Sequence, residues 1–356
     1  MRIQTRLITA IAVAALAALG GCPKNLPGGG AVPGGGGLPG GGAVPGGLAG
    51  VSGEVDPNTC GNYAAMDGGI KLKAFLQATK DLAATAEETV HVVKNSCEMI
   101  GRELGMTDAD FKGEAKDVCA KVYGALRDNM KVSFKAQAGL KIKYKPAVCR
   151  VDVDAQAKAA AECEGKASAD VGATCTGACH GTCDGTCSAS GKAGTGGTGA
   201  KGQCNGECKG TCHGECEGHA NVNASAQCKA SASVKASVDV KCTEPELTVE
   251  ADAKLVLDKS KAEMVIRALK NGLPKALSVK AHLEPLKGAV EVWAESAKEL
   301  KDMGPKFVNS FKDQAMCISA QIAAAVNLIP KINTNVEVSV NVSVSASATA
   351  SGSAGG

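Results

Sequence analysis

The chain has 356 residues, a formal net charge of +3, 17 cysteines and 3% aromatic residues. Near neutrality without a basic run excludes a phosphate-tracking surface, so nucleic acid is not an expected partner. No G-x-S-x-G, P-loop, H-E-x-x-H or dinucleotide glycine pattern occurs, so no catalytic residue is assigned, the chain is read as a non-enzyme, and no cofactor or bound metal is expected.

Residues 1–21 read as an export signal. Arg2 and Arg6 precede an apolar run from Leu7 to Leu19 that is too short for a comfortable membrane span. The segment Leu19-Gly20-Gly21-Cys22 resembles the lipobox of bacterial lipoproteins, with small residues before the cysteine. That resemblance covers the first 22 residues. It implies cleavage before Cys22 and lipidation of its thiol and amine, with the membrane as a partner through the lipid. Pro23 in place of aspartate favours the outer membrane of a bacterial cell envelope. Residues 22–52 then carry the lipidated cysteine and a tether, LPGGGAVPGGGG followed by LPGGGAVPGG. Glycine and proline suppress helix and sheet here, and such a coil spans roughly 25–30 Å r.m.s..

Residues 60–130 are expected to form a helical hairpin. Leu72, Leu76, Thr79, Ala83, Ala86, Val90, Val93, Cys97, Ile100 and Leu104 alternate spacings of four and three, a coiled-coil-like seam. Gly105 stops that helix. Phe111, Ala115, Val118, Val122 and Ala125 mark the next one. Cys97 and Cys119 lie almost symmetrically about the turn, placed to bridge or to stay as buried thiols.

Residues 131–257 carry the most informative pattern. Cys175, Cys179, Cys183 and Cys187 recur every four residues, as do Cys204, Cys208, Cys212 and Cys216. In an antiparallel hairpin the numbers of facing residues have a constant sum. For Cys187 with Cys204, Cys183 with Cys208, Cys179 with Cys212 and Cys175 with Cys216 that sum is 391. Cys163 with Cys228 and Cys149 with Cys242 continue it at other spacings. A long β-hairpin turning about Thr195 and Gly196, with up to six cross-strand disulfides, follows. Facing glycines share the cysteine face: Gly177 with Gly214, Gly181 with Gly210, Gly185 with Gly206. So do Val151 with Val240, Val153 with Val238, Ala155 with Ala236 and Ala161 with Ala230. Gln156 against Lys235 and Glu162 against Lys229 fall on the polar face, along with His180 and His213. Beyond Pro146 and Pro245 the buried face switches, so that Phe134, Ala136, Leu140, Ile142 and Tyr144 meet Leu257, Leu255, Ala251, Val249 and Leu247.

The physical need for sulfur is plain. A two-stranded ribbon is marginal in water, and interior glycine weakens it. Closing the tip loop covalently stabilises by roughly 3 kcal/mol in the chain-entropy model. Zinc or copper held by the cysteine array is the alternative reading, although zinc sites favour closer C-x2-C pairs.

Helices are expected again over residues 258–330. One ends near Gly272 and Pro274, a second carries Ala276 to Leu300 with a kink at Pro285, and a third follows the stop at Met303-Gly304-Pro305. Trp293 is placed in the core. Cys60 and Cys317 pair by elimination. The apolar run over residues 315–329 is too short for a membrane span and reads as a core helix. Residues 335–350 alternate strictly, Val336, Val338, Val340, Val342, Val344, Ala346, and are expected to be a strand. Residues 351–356 are expected to be a disordered tail.

The fold class read from these patterns is α+β: an antiparallel helical bundle with a long disulfide-laddered antiparallel β-hairpin arm and a C-terminal strand. Setting Cys22 aside leaves an even number of cysteines in a disulfide-permissive compartment. A lipid-anchored envelope protein of structural or adhesive role is expected, with an envelope protein or polymer as partner. The order helices, hairpin, helices is similar to that of α-helical pore-forming toxins with a β-tongue. Their tongues carry an apolar membrane-facing segment, whereas this tip carries cysteine, glycine and charge, so that function is not carried over.

Overall fold

The computed structural model describes residues 55–65, 68–135, 139–166, 171–189 and 202–352. The export signal, Cys22, the whole tether, Ala136, the tip at Thr195 and Gly196, and residues 353–356 lie outside that set. What is described mixes α-helices with antiparallel sheet and carries eight disulfides.

Helix α1 (Gly69–Glu103) buries Leu72, Leu76, Thr79, Ala86, Val93, Cys97 and Ile100 along the four-and-three seam. Gly105, at φ +84°, follows its last turn as a glycine past a helix end commonly does. Helix α2 (Ala115–Ser133) returns with Val118, Cys119, Val122 and Leu126 inward, and Cys97 is bonded to Cys119.

Helix α5 (Lys259–Val308) runs unbroken for 50 residues, which merges the first two expected segments and carries the helix through the expected stop at Met303-Gly304-Pro305; the third segment follows only after a 3-10 turn, Asn309–Gln314. Gly272 does not cap a helix. It lets α1 and α5 approach: a Cβ there would stand 2.3 Å from Ile100 Cγ1, and Ser96 Oγ donates to the Gly272 carbonyl at 2.7 Å. Pro274, Pro285 and Pro305 lie inside α5, where each costs about 3 kcal/mol in an isolated helix. Packing against its neighbours, including a Ser237 hydroxyl bonded to the Pro285 carbonyl, carries the helix through them. Trp293 is fully buried, stacks near Phe75 at 6.5 Å and donates its indole N–H to Thr79 Oγ1 at 2.8 Å.

Helix α6 (Ala315–Gly352) replaces the expected C-terminal strand. The alternation concealed a second period. Ile332, Val336, Ser339, Ser343 and Ala346 are buried and follow helical spacings of four and three. The small serines fill the seam where a larger residue would force the helices apart. The expectation of a run too short for a membrane also needs revision: α6 is long and apolar enough to cross one by length and composition, with mean hydropathy 1.5. A soluble core helix passes the same test, and α6 packs on α1 and α5. Cys317 on α6 is bonded to Cys60.

Between the two helical halves, β1 (Leu140–Lys145) pairs with β8 (Glu246–Ala251), Leu140 facing Ala251 and Tyr144 facing Leu247. Lys145 reaches Glu246 at 2.7 Å. Phe134 bridges Val256, not Leu257, which is 62% exposed. The ladder breaks at Pro146 and Pro245 and resumes as β2 (Cys149–Asp152) with β7 (Lys241–Cys242).

There the continuous hairpin ends. Residues read as strand beyond β2 and before β7 form α3 (Val153–Glu164) and α4 (Ala226–Val238). Alanine dominates both segments and favours helix over strand. Asp152 caps α3 by accepting from Ala155 N–H, and Gly165 ends it at φ +66°. The facing pairs expected from Val153 with Val238 to Ala161 with Ala230 are therefore replaced by helix packing. Gln156, expected on a polar face, is buried and donates to Ala220 O and Ser233 Oγ. Cys163 on α3 is bonded to Cys228 on α4. Glu164 is clamped by Lys71 Nζ at 2.5 Å and by the Ser225 N–H at 2.6 Å, tying α3 to α1 and to the start of α4.

Candidate functional site

The distinctive feature of the chain is the cysteine array, carried by β3 (Ala173–Cys175), β4 (Ala178–Ala189) and β5 (Gly202–Glu217), with β6 (Ala220–Val222) paired to β3. A flat ladder would set cysteine directly opposite cysteine at the sum 391. The backbone does something else. Cys183 faces Cys212, Gly185 faces Gly210 and Cys187 faces Cys208 on one edge. On its other edge the same strand faces an earlier stretch of β5, Gly181 opposite Cys204 and Cys183 opposite Gly202. Residues 179–183 thus have β5 on both sides. The two strands wind about each other as a closed coil.

Coiling resolves what a flat ribbon cannot. A flat pair exposes one face of its sulfurs, whereas the coil has an inside. Cys175, Cys179, Cys183, Cys204, Cys208, Cys212 and Cys216 are all buried. Inside, each sulfur crosses to the residue lying between the two backbone registers. The bonds are Cys175–Cys216, Cys179–Cys212, Cys183–Cys208 and Cys187–Cys204, with Cα separations of 5.7, 6.1, 5.8 and 5.8 Å. Sulfurs therefore join at the sum 391 while the strands pair four residues later on one edge and six earlier on the other. With few apolar side chains available, the disulfides are the core of this segment.

Glycine makes the coil tight enough. Gly181 and Gly185 have φ of +155° and +153°, and a Cβ on either would stand 2.1 Å from a carbonyl oxygen of the opposite strand. The expected facing of Gly181 with Gly210 and Gly185 with Gly206 is corrected accordingly: Gly181 faces Gly214 and Gly185 faces Gly210.

The outside is polar and ion-paired. His180 Nε2 meets Glu217 Oε1 at 2.8 Å, and His213 lies 3.2 Å from Asp154 and 3.5 Å from Asp184. Arg150 on β2 spans Glu215 and Glu217. These histidines point away from the sulfurs, toward carboxylates. His219 packs on Gly288 of α5, and burial pushes its pKa down.

Two features had no signal in the sequence. One is a cavity of about 290 Å³ between α1, α4 and α5, lined by Glu88, Thr89, Ser237, Val238, Ser278 and His282 among others. The other is the position of His282 beside the Cys149–Cys242 bond. Their contributors lie on segments far apart in the chain, and no spacing rule links them.

The class defined by these observations is an α+β, disulfide-rich protein whose eight bonds indicate an oxidising, extracellular or envelope-type compartment. No family model, no curated protein and no solved structure matches the chain.

Proposed function

We propose that this chain is a lipid-anchored cell-envelope protein, held at the outer membrane through Cys22, whose disulfide-filled β-coil is a rigid spacer or docking arm on a helical body. The observation that carries the reading is the row of four bonds inside the coil. Covalent rungs at every fourth residue remove bending freedom and leave the unfolded segment little entropy to gain. A catalytic site has no use for such a row. Its polar, charge-paired exterior suits contact with another envelope protein or a polymer. The lipobox-type segment before Cys22 and the glycine-proline tether supply the attachment and the reach.

Metal sequestration by the array is the weaker reading, because every array cysteine would first have to be freed by reduction.

Two measurements test the proposal together. Metabolic labelling with an alkyne fatty acid in a bacterial host should mark the wild type and not Cys22→Ala. Replacing residues 173–222 by a short Gly/Ser link should leave the helical body folded, while cross-linking to envelope components falls. Unlabelled wild type removes the anchor, and unchanged cross-linking removes the arm's role.

A further inference from the structure

One disulfide differs from those of the coil in its neighbour. Cys149 and Cys242 are bonded between β2 and β7, and the His282 imidazole of α5 stands beside them. The two sulfurs and a ring nitrogen all lie within 4.8 Å of one another. Among the described residues no other three histidine, cysteine or carboxylate groups converge so closely. All three are half-buried, whereas the coil's cysteines, Cys187 apart, are buried. His282 also lines the cavity between α1, α4 and α5, which leaves room beside the ring.

We propose that Cys149, Cys242 and His282 form a latent thiolate–imidazole site for a thiophilic divalent cation of the zinc type, masked by the disulfide and opened by a dithiol reductant. Two sulfurs and one imidazole are a known tetrahedral donor set that keeps a fourth position open. With metal–sulfur bonds of about 2.3 Å and metal–nitrogen bonds of about 2.0 Å, the donor atoms stand roughly 3.6–3.8 Å apart. The bonded sulfurs must then separate by about 2 Å, which χ rotation of the two side chains supplies.

The chemistry balances. One thiolate of the dithiol attacks a sulfur of the Cys149–Cys242 bond, giving a mixed disulfide and one protein thiolate. The second thiol of the reductant displaces the other cysteine and leaves as a cyclic disulfide. Two electrons and two protons pass to the protein. Binding of the cation then releases those two protons as both thiols become thiolates. Access orders the reaction: Cys149–Cys242 alone among the described bonds has both cysteines half-buried, and a thiolate reaches it before bonds with at least one buried cysteine. The other seven disulfides keep β2 and β7 in place while this one opens.

The test uses the full chain. Limited dithiothreitol treatment is followed by removal of the reductant under argon, alkylation and mapping of freed thiols, and titration of a parallel sample with Co2+ and then Zn2+. Cys149 and Cys242 should be alkylated first. One Co2+ per chain should give a thiolate-to-cobalt charge-transfer band that Zn2+ abolishes, and the oxidised protein should give none. His282→Ala should weaken Zn2+ binding by roughly tenfold or more. The double variant Cys149→Ser, Cys242→Ser should remove the band while circular dichroism stays unchanged. First release of coil thiols, absence of the band, or unchanged affinity in His282→Ala overturns the assignment.

Discussion

Gly185 lies against the carbonyl of Lys209 across the coil, so close that a Cβ would stand 2.1 Å from that oxygen. Its φ of +153° is one that L side chains rarely adopt. Gly185→Ala must therefore shift one strand away from the other just where Cys183–Cys208 and Cys187–Cys204 cross the interior. Backbone strain alone costs about 1–3 kcal/mol, and the separation adds to it. Oxidative refolding of the variant should yield mispaired cysteines at Cys183, Cys187, Cys204 and Cys208, read by peptide mapping. Ala substitution at half-buried Gly124, where a Cβ meets nothing, should refold with wild-type linkages.

Thr79 and Trp293 form a polar contact inside the helical core. Thr79 Oγ1 accepts from the indole and donates to the Phe75 carbonyl at 2.9 Å. Thr79→Val keeps the shape and strands the indole N–H in apolar surroundings. The expected loss is about 1–3 kcal/mol, measured as a lower midpoint in urea with an unchanged slope. The double variant with Trp293→Phe should lose less than the two single losses added together, since the stranded donor is then gone.

Much of this molecule was legible because cysteine carries its own geometric constraint. The constant sum linking Cys187 with Cys204 through to Cys149 with Cys242 survives any coiling of the strands, since it records which sulfurs can meet. What the sum did not fix was the path between them. Residues 153–164 and 226–238 satisfy it equally well as two paired helices, because Cys163 and Cys228 need only approach at one point. The coil was hidden for a related reason: period-two alternation reports an inside face without reporting whether that face is flat or rolled shut. His282 was invisible for want of any local pattern. It neighbours Cys149 and Cys242 only through the packing of α5.

Acid should loosen the junction of α1, α3 and α4. Burial opposes charge on Glu164, but hydrogen bonds from Lys71 and Ser225 outweigh it and hold its pKa at about 2, below the ordinary 4.5. A group whose folded pKa is depressed stabilises the fold fully above its unfolded pKa. That stabilisation is lost as pH falls through the folded value. The side chain is only 7% exposed, so a contribution on the order of 2–3 kcal/mol is expected between pH 4.5 and 2. Urea midpoints of the wild type should fall across that window. Those of Glu164→Gln should start lower and stay flatter, and parallel curves for the two proteins would remove Glu164 as the cause.

The last helix offers a sharp contrast between two valines. On a strand, Val336 and Val344 share a face, and truncating either has a similar effect. On α6 they part: Val336 is 6% exposed and Val344 is 49% exposed. Val336→Ala should then cost about 1–3 kcal/mol by leaving a void in the seam. Val344→Ala should stay within about 0.5 kcal/mol of wild type, since it touches no core and alanine favours helix. Equal losses at the two positions, with reduced helical ellipticity in neither, would restore the strand. A loss confined to Val336 requires the helical seam in which Ser339 and Ser343 are also enclosed.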